Sequence, residues 1–229
     1  MSLKIRANRE NYANINNAPE WTHYVDLFLF INLENRTDRK KEILRQFQQL
    51  GIPTQKVVRI IASLSGFTGC TRSHINALSF AMIQGCKRTM ICEDDFEVTN
   101  LENFHEQMND AINNNFVQNV LMISMSPIRI SPVSHTSEKT QLVQVQQALA
   151  MGAYIVKEGY FEKLIQIFQD ALKLQKPHDL VTQLHQKNDK WYGFYPPIAH
   201  QRPGYSDIEK KDVNYAYLEN GQMMQPEKQ

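Results

Sequence analysis

The stretch Thr89-Met90-Ile91-Cys92-Glu93-Asp94-Asp95-Phe96 concentrates the chemistry of this chain: a short apolar run ends in three consecutive carboxylates. An apolar run of this length, with a helix-like segment before it and a charged turn after it, predicts a buried strand. Side chains at the carboxyl end of such a strand face the crevice where open α/β sheets bind ligands. Three acids crowded there repel one another and add nothing as core. Hard divalent cations take carboxylate oxygens and relieve that repulsion. The expected chemistry is Glu93-Asp94-Asp95 holding Mn²⁺ or Mg²⁺ against the phosphates of a nucleotide. The competing reading of the same residues is a solvated acidic turn, and the motif alone does not separate the two.

The rest of the composition sets bounds on the partners. At 229 residues the chain fits one large domain or two small ones. A net charge of +1 gives no basic stripe for nucleic acid and no polybasic membrane anchor. The first twenty residues are polar and Asn-rich, so no secretory signal is expected. No apolar run reaches membrane-spanning length. Cys70, Cys86 and Cys92 are few, odd in number and not in a zinc spacing, which argues against a disulfide framework. The expectation is a soluble, cytoplasmic protein of a reducing compartment. Its oligomeric state is not legible.

The elements that must position the acids alternate between strand and helix. Residues 1–24 lack periodicity and predict an irregular arm. Val25 to Leu33 is a nearly continuous apolar strand. Thr37 or Asp38 can cap the following helix, whose stripe is Ile43, Leu44, Phe47 and Leu50. Gly51 and Pro53 end it, and Val57 to Ile61 is the next strand, predicting a parallel strand–helix–strand unit. A helix is expected from about Thr71 to Gly85, and another after a Thr99–Glu102 capping box. Val120 to Ile123 reads as a strand, and residues 126–140, rich in Ser, Pro and Thr, as a long loop. Two separate strands are expected at residues 141–146 and 151–156. An amphipathic helix through Phe161 and Phe168, a short helix capped by Asp179, and an aromatic edge strand or loop at residues 191–197 complete the pattern. The predicted class is an α/β sheet fold with mixed or antiparallel strands in its second half. A single domain over residues 25–217 and a polar tail over 218–229 are expected.

Six separate stretches, in order, resemble the family-25 glycosyltransferases, which include lipooligosaccharide and collagen galactosyltransferases. They are Ile31 to Arg39, the Gly-Cys-x-x-Ser-His segment Gly69 to His74, Glu93-Asp94-Asp95, Gly152 to Val156, which is similar to the family's Gly-x-x-Tyr strand, Pro177-His178-Asp179, and Tyr205 to Glu209. The resemblance covers most of the chain, and the Asn-rich style is similar to the family's giant-virus members. Phe67-Thr68, where the family carries an acid, and the charged Arg72 depart from its pattern.

The resemblance implies the GT-A fold, a Rossmann-like mixed central sheet flanked by helices. It also implies an inverting transfer of a hexose from a UDP-sugar to a hydroxyl of a glycan or protein acceptor. A divalent metal would stabilise the departing diphosphate, and a carboxylate would take the acceptor proton. Glu93 and Asp95 are the expected metal ligands, two apart and so on one side of an extended chain, with Asp94 turned to the ribose or supporting them. Asp179 is the favoured base, its alternative role being a plain helix cap. Asp207 is the alternative base or a further metal residue, with His200 as another metal ligand or an exposed loop histidine. Asn32, Arg36 and Arg39 are placed to meet base and phosphate, although Arg39 could equally pair with Glu42 or Glu102 on the surface. Ser73 and His74 are expected in the first turn of a helix, near nucleotide or acceptor, unless His74 is a hydrogen-bonded core residue. The aromatic cluster at residues 191–195 is more readily core than a sugar platform. Two rivals stand beside the transferase: a binding module without turnover, and a nucleotidyltransferase, against which the glycine-free Leu33 to Arg36 argues.

Overall fold

The computed structural model describes residues 5–12, 17–62, 66–116, 119–133 and 142–214. Its first half comprises β1 (Ala7–Arg9), β2 (Leu27–Leu33), α1 (Thr37–Gln49), β3 (Val57–Ala62), α2 (Gly66–Ile83), β4 (Arg88–Glu93), β5 (Phe96–Glu97) and α3 (Leu101–Asn113). Its second half comprises β6 (Val120–Pro132), β7 (Leu142–Lys157), α4 (Glu158–Lys173), α5 (His178–Gln186), β8 (Trp191–Phe194), β9 (His200–Gln201), β10 (Gly204–Ser206) and β11 (Lys211–Val213).

Seven strands form one sheet in the order β1-β3-β2-β4-β7-β6-β8. β3, β2 and β4 run parallel, while β7 lies antiparallel to β4 and to β6. The expected α/β class, with mixed strands in its second half, is what the chain adopts, β8 running parallel to β6 and antiparallel to β7. The period-2 alternation of side chains explains the two cores. Leu27, Leu29, Ile31 and Ile91 face α2, α4 and α5, whereas Phe28, Phe30, Met90 and Cys92 face α1 and α3. Burial on both faces accounts for the unbroken apolar runs of β2 and β4.

Several expected boundaries move. Within residues 1–24, β1 pairs antiparallel with β3, and Trp21 is fully buried, edge-on to Phe28 and Phe104 with ring centroids 5.6 Å apart. Helix α2 begins at Gly66, five residues before the expected Thr71, so Ser73 and His74 lie about two turns inside it. Helix α3 is capped by Asn100, whose side chain accepts from the Asn103 N–H, one residue after the expected Thr99. The expected loop at residues 126–140 is strand as far as Pro132, and residues 134–140 lie outside the described ones. The two expected strands at 141–146 and 151–156 are one long strand, β7, apart from residue 141, which is not described. The expected tail at 218–229 is also outside the described residues.

Candidate active site

The acids end β4 by design of the pleat. Ile91 points to the α2 side, so Glu93, two residues on, points there too and reaches α2. Its Oε1 lies 3.3 Å from the Cys70 Sγ, which donates to it, and 3.4 Å from His74 Nε2. Its Oε2 accepts from Gln201 Nε2 at 3.3 Å. Asp94 and Asp95 form a tight turn rather than an extended continuation. The turn is held from the far end of the chain, because the Arg202 N–H donates to the Asp95 carbonyl at 2.6 Å.

Asp94 is the acid whose charge is met. Asn32 Nδ2 donates to its Oδ2 at 2.6 Å, and Arg39 Nη1 donates to its Oδ1 at 3.0 Å. The same Arg39 nitrogen donates to Asp95 Oδ2 at 3.1 Å, and Nη2 donates to the Tyr205 carbonyl at 2.8 Å. Arg39 therefore belongs to the acidic turn and not to Glu42, which is paired with Arg202 at 2.6 Å. Two acceptors in this corner, Asp95 Oδ1 and Asn32 Oδ1, are buried without a hydrogen-bond partner. Burial, reinforced by the neighbouring acids, pushes the Glu93 and Asp95 carboxyls up to about 7. Burial also raises Asp94, against the pull of Asn32 and Arg39. The corner is short of positive charge.

These groups open into a cavity of about 380 Å³ at the carboxyl ends of β2 and β4. The carboxylates of Glu93, Asp94, Asp95, Asp179, Asp207 and Glu209 line it, and among the described lining residues Arg39 is the one Arg or Lys. Asp179 lies in the first turn of α5, after Pro177, and also lines the cavity. Its Oδ2 accepts the Ala150 N–H at 3.2 Å and its Oδ1 accepts the Leu180 N–H at 2.8 Å. Ala150 has φ +54°, a left-handed conformation within β7 that turns its N–H toward that carboxylate. Asp207 receives Arg36 Nη1, whose guanidinium also holds Asp38 at 3.0 Å. Arg36 is not itself a lining residue.

The structure thus brings Asn32, Arg39, Glu93, Asp94, Asp95, Asp179 and Asp207 to one cavity. Ser73 and His74 are not at a helix start. Ser73 is buried, with its hydroxyl donating to the Gly69 carbonyl at 2.8 Å. His74 is fully buried, with Nδ1 3.0 Å from the Tyr154 hydroxyl, and burial lowers it to about 3. Its Nε2 lies 3.4 Å from Glu93 Oε1, and His74 does not itself line the cavity. His200 is buried on a strand and not an exposed loop residue. It pairs with Glu97 across β5 and β9, its Nε2 3.2 Å from Glu97 Oε2. Trp191 and Phe194 are core.

Three lining residues went unassigned in the sequence. Gln201 holds Glu93 from the β9 side, and no local pattern announces it. Cys70 and His178 both fall inside segments quoted for the family resemblance, which was the available signal. Gly152 leaves room for Gln201: a Cβ there would lie 3.1 Å from Gln201 Cγ and 3.2 Å from Ser124 Oγ.

No protein-family model and no curated protein sequence matches the chain. Solved structures similar to it include A197 from STIV, with 13% sequence identity and a TM-score of 0.48 over 88% of this chain and 97% of that one. Another is a glycosyltransferase involved in the glycosylation of the major capsid of PBCV-1, with 9% identity and a TM-score of 0.46 over 85% and 99%. A third is an apo-UDP-glucose pyrophosphorylase, with 9% identity and a TM-score of 0.45 over 76% and 74%.

Proposed function

We propose that the chain is a glycosyltransferase of the family-25 kind. It moves a hexose from a UDP-sugar to a hydroxyl of a glycan or protein acceptor, with Mn²⁺ or Mg²⁺ held by Glu93 and Asp95. The charge of the cavity carries the reading. Among the described residues six carboxylates and Arg39 line it, and Arg36 and Lys211 pair with Asp207 and Glu209, so acids still outnumber cations and a diphosphate would be repelled unless a cation entered with it. The donors suit a hard cation, being carboxylate oxygens, and Asp95 Oδ1 is buried with no partner. When bound, the cation would act as a Lewis acid on the leaving diphosphate.

The chain's own residues then have distinct tasks. Asn32 and Arg39 hold Asp94 and fix the turn, so Glu93 and Asp95 keep their places without reorganisation. Inversion by one displacement needs no covalent intermediate, and the acceptor proton goes to a second carboxylate lining the cavity. Asp179 is the favoured base: its two accepted N–H bonds orient it and leave further lone pairs for a hydroxyl. Asp207, tied to Arg36, is the alternative.

A nucleotide-sugar-binding module without turnover is the second reading, favoured by the fact that Asp179 and Asp207 are both already engaged. Thermal unfolding with UDP and Mn²⁺, singly and together, tests both. A ligand at about 100 times its Kd stabilises by about 2.7 kcal/mol, or roughly 5–10 °C for a chain of this size. Glu93→Ala is expected to lose the metal-dependent part. No shift with UDP and metal together rejects both readings. A shift without UDP release from any UDP-sugar, with manganese or with chelator, leaves the module.

A further inference from the structure

On the helix side of Glu93, at and behind the cavity wall, lies a second group of donors, unlike the first in chemistry. Cys70 and His74 are four residues apart on α2 and so share a face. His178 opens α5 opposite them. The Cys70 sulfur and one ring nitrogen from each histidine all lie within 4.8 Å of one another. Glu93 Oε1 adjoins two of them, at 3.3 Å from Cys70 Sγ and 3.4 Å from His74 Nε2.

The hydrogen bonds around the histidines decide what these nitrogens can do. The Thr71 hydroxyl donates its single proton to the Phe67 carbonyl at 2.8 Å. Its 3.1 Å contact with His178 Nδ1 therefore has the ring donating. That fixes the proton on Nδ1 and leaves a lone pair on Nε2. His178 is 6% exposed, and its Nε2 is buried with no hydrogen-bond partner. His74 meets the Tyr154 hydroxyl through Nδ1 at 3.0 Å and Glu93 Oε1 through Nε2 at 3.4 Å, and on metal binding its proton would sit on Nδ1, donated to that hydroxyl, with the Nε2 lone pair freed. A far ring nitrogen anchored by an oxygen, with the near one left as a lone pair, is how metal-binding histidines are prepared.

We propose that Cys70, His74 and His178, with Glu93 Oε1 as fourth ligand, form a site for Zn²⁺. One sulfur, two imidazole nitrogens and one carboxylate oxygen suit a tetrahedral borderline cation, whereas Mg²⁺ prefers six oxygens. Binding converts the Cys70 thiol to a thiolate and releases its proton to solvent, with no change of oxidation state. The ion ties α2 to the start of α5, immediately before Asp179. Glu93 divides its oxygens, Oε1 to this site and Oε2 to the Gln201 side. The inference does not rest on the nucleotide reading.

The test is Co²⁺ titration of the full chain after stripping with chelator. Stoichiometric binding is expected, with intense tetrahedral d–d absorption in the visible and a thiolate-to-cobalt charge-transfer band, both abolished by Zn²⁺. Cys70→Ser should lose the charge-transfer band, and Asp95→Asn should keep it. Thr71→Val, which takes away the acceptor for His178 Nδ1–H, should weaken Co²⁺ binding roughly 10- to 100-fold. Far-UV circular dichroism in chelator checks the fold of each variant. A weak octahedral spectrum without charge transfer in the unmodified chain overturns the proposal whatever the variants do. So does full-affinity tetrahedral binding in folded Cys70→Ser. A cobalt band without any UDP shift would keep this site and reject the nucleotide site, and the converse result would do the reverse.

Discussion

Replacing Asp95 with Asn should stabilise the metal-free protein above neutral pH, although it removes a buried ion pair. Burial and the neighbouring acids raise the Asp95 carboxyl from 3.8 to about 7. The folded chain then holds a proton that the unfolded chain has already released. Stability accordingly falls as pH rises from about 4 to about 7 and stays low beyond. Taken alone, that interval corresponds to about 4 kcal/mol. Glu93 and Asp95 raise each other, so part of the effect is shared. Arg39 loses one partner but keeps Asp94 and the Tyr205 carbonyl. The net expectation for Asp95→Asn is about 1–2 kcal/mol of added stability, a Tm higher by roughly 2–8 °C. The buried histidines His74 and His178, lowered to about 3, give the opposite slope below 6.5, but they do so in both proteins and cancel in the comparison. The assay is thermal unfolding in chelator from roughly pH 5 to 8.5, unmodified chain against variant. The gap should widen toward alkaline pH, and added Mn²⁺ should then stabilise only the unmodified chain. A variant less stable than its parent at pH 8, or a gap that ignores pH, would refute the account of the corner as short of positive charge.

Arg39→Lys should not rescue Arg39→Ala, because one ammonium cannot reproduce the fork that joins Asp94, Asp95 and the Tyr205 carbonyl. Both variants are expected to cost about 3–5 kcal/mol in urea unfolding, the scale for breaking a buried pair. Asp179→Asn should keep the UDP and Mn²⁺ thermal shift and lose turnover; normal turnover would exclude Asp179 as base. Trp21→Ala should cost about 3–5 kcal/mol, since the indole is fully buried between Phe28 and Phe104. A cost below 1 kcal/mol would show that the arm contributes little to the domain.

The central strands and the acidic turn were legible because burial on both faces writes an unbroken apolar run, as in Phe28 to Ile31 and Met90 to Cys92. The long β6–β7 pair was not, for a physical reason. Register shifts between Met122 and Ile130 break the period of two on which strand reading depends, and Pro127 and Pro132 imitate a loop. The start of α2 was missed because Gly66 and Gly69 look like breakers, yet both are tolerated in a first turn. At the site, Glu93 to Asp95 and Asp179 could be picked out by type and motif. The grouping of Cys70 with His178, 108 residues apart in the chain, could not, since only the packing of α5 on the sheet brings them together. The exposed-loop alternative for His200 failed through the same gap in knowledge: its strand pairs with β5, which turns its ring to Glu97.

The bond from the Arg202 N–H to the Asp95 carbonyl has a consequence for how the protein matures. The corner uses Asn32 and Arg39 from the opening of the chain and Gln201, Tyr205 and Asp207 from near its close. A polypeptide still emerging from the ribosome can complete its parallel strands and still lack two walls of the pocket. The proposed nucleotide site would then be complete only once residues 201–207 have been made.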